Sequence, residues 1–285
     1  MKKKSFNRLS RLIIIAFVGV CALNSGAQTL TATYVELADS ADTYIARQQW
    51  ADAERVIVKA LRHEPANKSN FLLWSNLGIV RENQGNTDGA VEAYTIGLAS
   101  APKSTVLLTN RARAYLAGGH RSEAQSDLDA ALATDSTLQW PRKMRGILRA
   151  GSGDRSGALT DLEYYEQKFG KDAIVSEALG DLTAAEGDVN GALAYYREAY
   201  KAEPDANLLG KAALTAYAFG RIEEMRDDIA EGIVRFPREG ILYLMRAMID
   251  KASYQTSAME SDLKMAKELG VDKTLYDTLT GSGKK

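Results

Sequence analysis

From Tyr34 onward the chain repeats one phrase of about 34 residues almost end to end. Its constant part is an Ala, a bulky apolar residue four later, a small residue three further on, and often a Pro after five more. Ala53, Ile57, Ala60 and Pro65 form the first copy, and Ala90, Tyr94, Gly97 and Pro102 the second. Ala124, Leu128 and Ala131 follow, then Ala158 and Leu162, then Ala192, Tyr196, Ala199 and Pro204. The leading alanines stand 37, 34, 34 and 34 residues apart. Met225, Ile229, Gly232 and Pro237 make a weaker copy, as do Met259, Leu263 and Ala266. Such a period marks stacked supersecondary units, so the chain grows by adding units rather than by enlarging one core.

Each copy reads as two amphipathic helices. In residues 71–102, Phe71, Trp74, Leu77 and Gly78 recur at the three- and four-residue spacing of one helical face. Gly85-Asn86 breaks that helix, and Thr87 is expected as the N-cap and Asp88 as a first-turn residue of the next. Ala90, Tyr94, Gly97 and Leu98 then form its apolar stripe, which Pro102 ends. Gly78 and Ala90 belong to the two helices of one pair, where small side chains let the axes approach.

These residues resemble the tetratricopeptide repeat (TPR) family, whose phrase runs W-x2-L-G-x2-Y, then A-x3-F-x2-A, then P. Trp74, Leu77 and Gly78 carry its first part in the second copy, and Leu179 and Gly180 in the fifth. Ala41 with Tyr44, and Ala112 with Tyr115, carry its small-x2-Tyr element. The resemblance implies an all-α fold, a right-handed α-solenoid of about seven stacked helix-turn-helix repeats. They are expected to start near residues 34, 71, 105, 139, 173, 206 and 240, within a solenoid spanning 28–273. Residues 274–285 are expected to be a flexible tail. The sequence departs from the family with Arg81 and Arg149 in place of an aromatic, Arg111 and Arg145 in place of Leu, and Met225 and Met259 in place of Ala.

Residues 1–27 read as a secretory signal peptide: a basic start, an apolar run from Leu12 to Leu23, and Ser25-Gly26-Ala27 before cleavage at Gln28. The apolar run is short for a bilayer span, and no transmembrane span is expected in the mature chain. Val20 before Cys21, the single cysteine, disfavours a lipoprotein. Export to the periplasm or cell envelope is therefore expected. Without the five basic residues of that segment, 31 Lys+Arg face 37 Asp+Glu, a net −6 against −1 for the whole chain. That balance speaks against nucleic acid as a partner.

No constellation for catalysis stands out, so an enzyme is not expected, nor a cofactor or a metal. His63 and His120 have no ligand-spaced partner. Three Gly-rich stretches (85–89, 151–157 and 187–191) faintly resemble phosphate or calcium loops but lack the closing Lys or Glu, and all fall at the turn between paired helices.

In TPR solenoids the first helix of each pair lines the concave groove, which says where to look. Residues 105–118 and 139–151 carry Arg111, Arg113, Arg142, Lys143, Arg145 and Arg149 with no acidic residue. Glu36, Asp39 and Asp42 lie in the first copy, and Glu177, Asp181 and Glu186 in the fifth. Two readings stay open: a basic field that orients a partner, or charges satisfied internally by the acidic second helices. On the first reading, Asn76, Asn110, Arg113 and Lys143 look like part of the clamp by which some TPR proteins hold a C-terminal carboxylate. The clamp's remaining places hold Ala38 and Asp42, or Ser75 and Ile79. Trp140 and Ile147 would add apolar anchors. The expected function is a protein–protein scaffold binding a partner's acidic or C-terminal carboxylate segment in its groove. The alternative is an envelope assembly component, with oligomerisation through the apolar C-terminal repeat, where Ile241, Tyr243, Leu244, Met245 and Met248 crowd one helix, to be covered by the helix with Leu263 and Leu269, by the tail or by a partner. A carbohydrate-binding protein or enzyme is the remote alternative.

Overall fold

The computed structural model describes residues 32–282. Residues 1–27, expected to be a signal peptide, and with them Cys21, lie outside the described residues. The described residues form 15 α-helices: α1 (Ala32–Ala46), α2 (Trp50–His63), α3 (Asn70–Asn83), α4 (Thr87–Ser100), α5 (Thr105–Ala117), α6 (Arg121–Thr134), α7 (Gln139–Ser152), α8 (Arg155–Phe169), α9 (Ala173–Ala185), α10 (Val189–Ala202), α11 (Ala206–Ala218), α12 (Arg226–Arg235), α13 (Gly240–Ala252), α14 (Thr256–Glu268) and α15 (Lys273–Thr280). A short 3₁₀ turn, Ile222–Met225, precedes α12. Helices stack in pairs, an all-α solenoid of about seven repeats. First helices begin at 32, 70, 105, 139, 173, 206 and 240, within two residues of the starts set by the period.

Packing divides the chain into two compact units, one ending at Leu148 and one starting at Arg149, both within α7. The repeated alanines explain the pairing. Ala53, Ala90, Ala124, Ala158 and Ala192 are wholly buried, and so are Ile57, Tyr94, Leu128 and Leu162. Helix axes can approach only where one side presents almost no side chain.

The turns correct one expectation. The cap of α4 is Asn86 rather than Thr87, its side-chain oxygen accepting the Gly89 N–H at 2.9 Å, while Asp88 lies in the first turn as expected. Asp154 caps α8 through Gly157 and Asp188 caps α10 through Gly191, each at 3.0 Å. The glycine three places on leaves room for the cap, since a Cβ there would strike the capping side chain. The loops that faintly resembled ion cradles are therefore helix caps.

The C-terminal end corrects another. Residues from 273 form α15, not a flexible tail, with Asp272 capping it through Leu275 N–H at 2.9 Å. Its Leu279 is buried, and Leu275 and Tyr276 pack with Leu263 of α14 on the core around Leu244, Met245 and Met248 of α13. Of the covers expected for the apolar α13, the helix with Leu263 and the C-terminal segment both pack on it. Among the described residues no helix is long and apolar enough to cross a membrane.

Candidate partner-binding face

All six residues singled out from the sequence lie in the first unit, on α3, α5 and α7. The arginines around them divide by what they touch. Arg111 makes a two-pronged pair with the buried Asp127 of α6, Nε to Oδ2 at 2.8 Å and Nη2 to Oδ1 at 2.7 Å. Its Nη1 donates to Thr95 at 3.0 Å. Arg145 pairs with Asp129 at 2.9 Å, and Arg142 donates to the Ser136 carbonyl at 2.7 Å. Arg81, in the family's aromatic position, joins Glu54 at 3.0 Å, Glu92 at 3.2 Å and the Gly89 carbonyl at 2.9 Å. Within the second unit, Arg149 reaches the buried Asp161 at 2.9 Å. For these arginines the internal reading holds: they bind first helix to second or hold a turn.

Arg113 is different. Its guanidinium lies 5.0 Å from the Trp140 ring centre, inside cation–π range. Its Nε and Nη1 are buried without a hydrogen-bond acceptor, as is the Trp140 indole N–H. Trp140, Met144 and Leu148 of α7 pack on Ala112 and Leu128, which fixes the indole as a platform. Lys143 and Ile147, one turn apart and partly exposed, follow Trp140 along α7.

Asn76 and Asn110, equivalent places in successive repeats, are buried rather than displayed, at 1% and 0% exposure. Asn76 Nδ2 donates to Asp42 Oδ1 at 3.2 Å, while its own Oδ1 lacks a donor. Neither polar atom of Asn110 has a partner. An orphaned buried polar atom costs about 1–3 kcal/mol, so this row is expensive for the fold alone.

Behind Arg113 stands a pair that the sequence reading missed. Glu82 of α3 is mostly buried, and its Oε1 accepts the Tyr94 hydroxyl at 3.0 Å. Burial raises the Glu82 carboxyl above its usual range, though the Tyr94 hydrogen bond and the Arg113 charge pull the other way. Tyr94 is wholly buried against Gly78, where a Cβ would overlap its ring. Gly78 and Tyr94 both belong to the repeat phrase, but there Gly78 is matched with Ala90, and nothing in it signals a partner for the Tyr94 hydroxyl.

The acidic flank of the second unit is also occupied. Lys211 of α11 meets Glu177 at 2.6 Å and Asp181 at 2.8 Å, both on α9. His63 sits in the last turn of α2, and His120 immediately precedes α6 beside Tyr115. Among the described residues no group of three or more His, Cys, Asp or Glu is placed to hold a metal ion.

A tetratricopeptide repeat family model matches residues 39–105 and 143–207. Those two stretches match the tetratricopeptide repeat pattern. TPR scaffolds generally serve protein–protein interaction and are usually non-catalytic. A TPR protein from Parabacteroides merdae has a similar fold, with a TM-score of 0.62 and 24% identity over 87% of this chain and 98% of that one. PilW, a type IV pilus biogenesis factor, aligns at 0.56 and 22% identity over 75% of this chain and 98% of its own. YrrB, a TPR protein with an unusual peptide-binding site, aligns at 0.57 and 17% identity over 65% and 95%. Likeness at these identities speaks for the fold alone. RNA polymerase II-associated protein 3 of Xenopus tropicalis is 35% identical over 79 residues, 28% of this chain and 12% of that protein's length.

Proposed function

We propose that the protein is a non-enzymatic scaffold whose first-helix face in the first unit captures a peptide segment of a partner. The segment presents a carboxylate, from a side chain or a C-terminus, to Arg113. One observation carries this reading: Arg113 has buried N–H groups without acceptors, over an aromatic platform, while its neighbours are hydrogen-bonded or paired within the fold. Arginine donates in a fixed fork suited to a carboxylate. Lys143 adds charge, and Trp140 and Ile147 supply apolar contact, the mixture found where a few residues dominate binding. Asn76 and Asn110 stiffen the wall beneath rather than touching the peptide in the described conformation.

The test is comparative capture from envelope extract with the wild type and an Arg113→Glu/Lys143→Glu double variant. The variant should lose a specific partner while its helical circular dichroism stays unchanged. Equal capture by both proteins would sink the reading.

Residues 1–27 support an accompanying proposal of export to the periplasm or envelope, through their basic start, apolar run and small-residue junction. The mass of the protein recovered from fractionated cells checks it: a chain beginning at Gln28 is expected, and an uncleaved cytoplasmic chain would refute it.

A further inference from the structure

Where α10 and α12 of the second unit end, the fold holds one arginine still and leaves it open. Arg197, Arg221, Arg226 and Arg246 of this unit are each ion-paired. Arg235, the last residue of α12, is exposed and meets no acceptor or carboxylate among the described residues. Glu231, one turn earlier on α12, stands at the spacing for an ion pair, yet none forms. Instead the Arg235 guanidinium lies 5.9 Å from the ring centre of Tyr200, in the last turn of α10, and 5.8 Å from that of Phe236. Both rings pack on the core that contains Ile233 and Leu242. The turn after α12 is equally fixed. Phe236 N–H donates to the Gly232 carbonyl at 2.7 Å, Glu239 N–H to the Phe236 carbonyl at 3.2 Å, and the Tyr243 hydroxyl to the Pro237 carbonyl at 3.1 Å. Beside Arg235, Val234 is 84% exposed, and Pro237 is exposed as well.

We infer that this corner is a second docking site, taking a peptide segment that carries one carboxylate among apolar residues. An exposed arginine ordinarily loses much rotamer freedom when it is captured. Arg235 has less to lose, because two core-anchored rings already carry it. A cation held by ring faces keeps its N–H edges, and that fork matches a carboxylate with two parallel hydrogen bonds. A helix C-terminus favours a cation of its own accord, but Arg235 donates to none of the last α12 carbonyls. Val234 and Pro237 give the apolar neighbours of the carboxylate something to cover. The charge balance narrows the partner further. Lys201, Arg235 and Arg238 of these two helix ends are matched in number by Glu203, Glu231 and Glu239. A run of acids gains nothing from a balanced surface, and an anionic bilayer draws its hold from many cations together. One carboxylate flanked by aliphatic side chains fits both the fork and the bare Val234. The site stands on second helices of the second unit, so it does not rest on the first-helix face of the first.

The experiment uses the purified full chain and a pool of short peptides, each with one Asp or Glu between Leu, Val or Phe residues and an amidated C-terminus. A matched pool carries Asn or Gln instead. Retention is measured in the Arg113→Glu/Lys143→Glu background, so the first-unit face contributes nothing and the two readings stand or fall separately. The acidic pool should be retained and the amide pool should not. Arg235→Gln should weaken retention about tenfold. Arg235→Lys, which keeps the charge and loses the fork, should weaken it by nearly as much and guards against a folding artefact. Tyr200→Leu should weaken it about two- to fivefold by freeing the guanidinium. Val234→Ser should lower retention of the apolar-flanked peptides while leaving Gly-flanked ones unchanged. Arg62→Gln, at another exposed arginine with no ion pair, should change nothing. Equal retention of the two pools overturns the carboxylate. Retention by Arg235→Gln equal to that of its parent overturns the site. Vesicles of phosphatidylglycerol and phosphatidylethanolamine are the remaining arm: Arg235-dependent binding to them, without retention of either pool, overturns the peptide in favour of a lipid surface.

Discussion

The two units use the same device and leave it in opposite states. In the first, Gly78 admits the Tyr94 ring, and the Tyr94 hydroxyl holds Glu82. Three repeats on, Gly180 admits Tyr196, whose hydroxyl donates to Asp181 Oδ1 at 2.8 Å. The nearby cation of the second unit, Lys211, sits in direct contact with Asp181 at 2.8 Å and Glu177 at 2.6 Å. That of the first, Arg113, rests on an aromatic ring with buried N–H groups unmet. Two carboxylates saturate one ammonium in the second unit, whereas in the first the guanidinium Nε and Nη1 meet no acceptor. Charge on a first-helix face thus marks a candidate site only where the fold has not already spent it.

The strongest way to break this comparison is to remove partners rather than cations. Asp127→Ala strands Arg111 in a part-buried place and should cost about 2–3 kcal/mol in denaturant melts, allowing for partial solvent screening. Arg113→Ala should cost less than about 1 kcal/mol, because it also removes two orphaned donors. Equal losses would mean that Arg113 is structural like its neighbours.

A second test compares the two Gly–Tyr pairings. A Cβ at Gly180 would stand 2.8 Å from Tyr196 Cε1, and one at Gly78 would stand closer still to Tyr94 Cε1. Overpacking of this kind costs about 1–3 kcal/mol. Gly78→Ala should therefore lower the melting temperature more than Gly180→Ala, by about 2 against about 1 kcal/mol. In addition, Gly78→Ala should displace the Tyr94 hydroxyl from Glu82.

Lys211 offers a smaller effect with a defined pH sense. Burial pulls its ammonium down, but hydrogen bonds and charge from Asp181 and Glu177 outweigh that and leave it raised. A raised lysine contributes stability that is complete below its unfolded pKa of about 10.4 and is lost as pH climbs through the folded value. Lys211→Met should cost about 0.5–1 kcal/mol at neutral pH, the group being more than a third exposed, and the difference should close in strong alkali. A gap that persists there would assign the effect to packing.

How much of this the sequence carried follows from what repeats and what does not. The alanines, Tyr94 and Gly78 obey a period and are buried, while Met259 and Leu263 of the last copy are only partly so. Asn76 and Asn110 obey it too and are buried, Asn76 meeting Asp42 of the previous repeat. Arg111 and Arg113 lie two residues apart on one helix, so composition treats them alike. Two residues rotate a side chain by about 200° around a helix, which carries one onto Asp127 and the other onto Trp140. Glu82 escaped notice because its importance lies in Tyr94 and Arg113, residues of two other helices. The tail was misjudged because its composition is polar, yet Leu275, Tyr276 and Leu279 share one helical face that meets α13 and α14.

The smallest expected effect lies in the turn that closes each helix pair, where the units agree. Gly85 and Gly119 in the first unit, and Gly153, Gly187 and Gly220 in the second, hold the left-handed backbone there. Gln48 in the first unit, at φ 56°, and Tyr254 in the second, at φ 59°, adopt it without being glycine. A side chain in that conformation costs about 1–2 kcal/mol, which the greater unfolded-state freedom of glycine offsets in part. Tyr254 is 93% exposed, so little packing is lost when its ring is removed. Gln48→Gly and Tyr254→Gly should each stabilise by about 0.5 kcal/mol, raising the melting temperature by a degree or two. If Gln48→Gly stabilises and Tyr254→Gly does not, the Tyr254 ring makes a favourable contact in solution, and the second unit would then have an aromatic surface feature with no counterpart in the first.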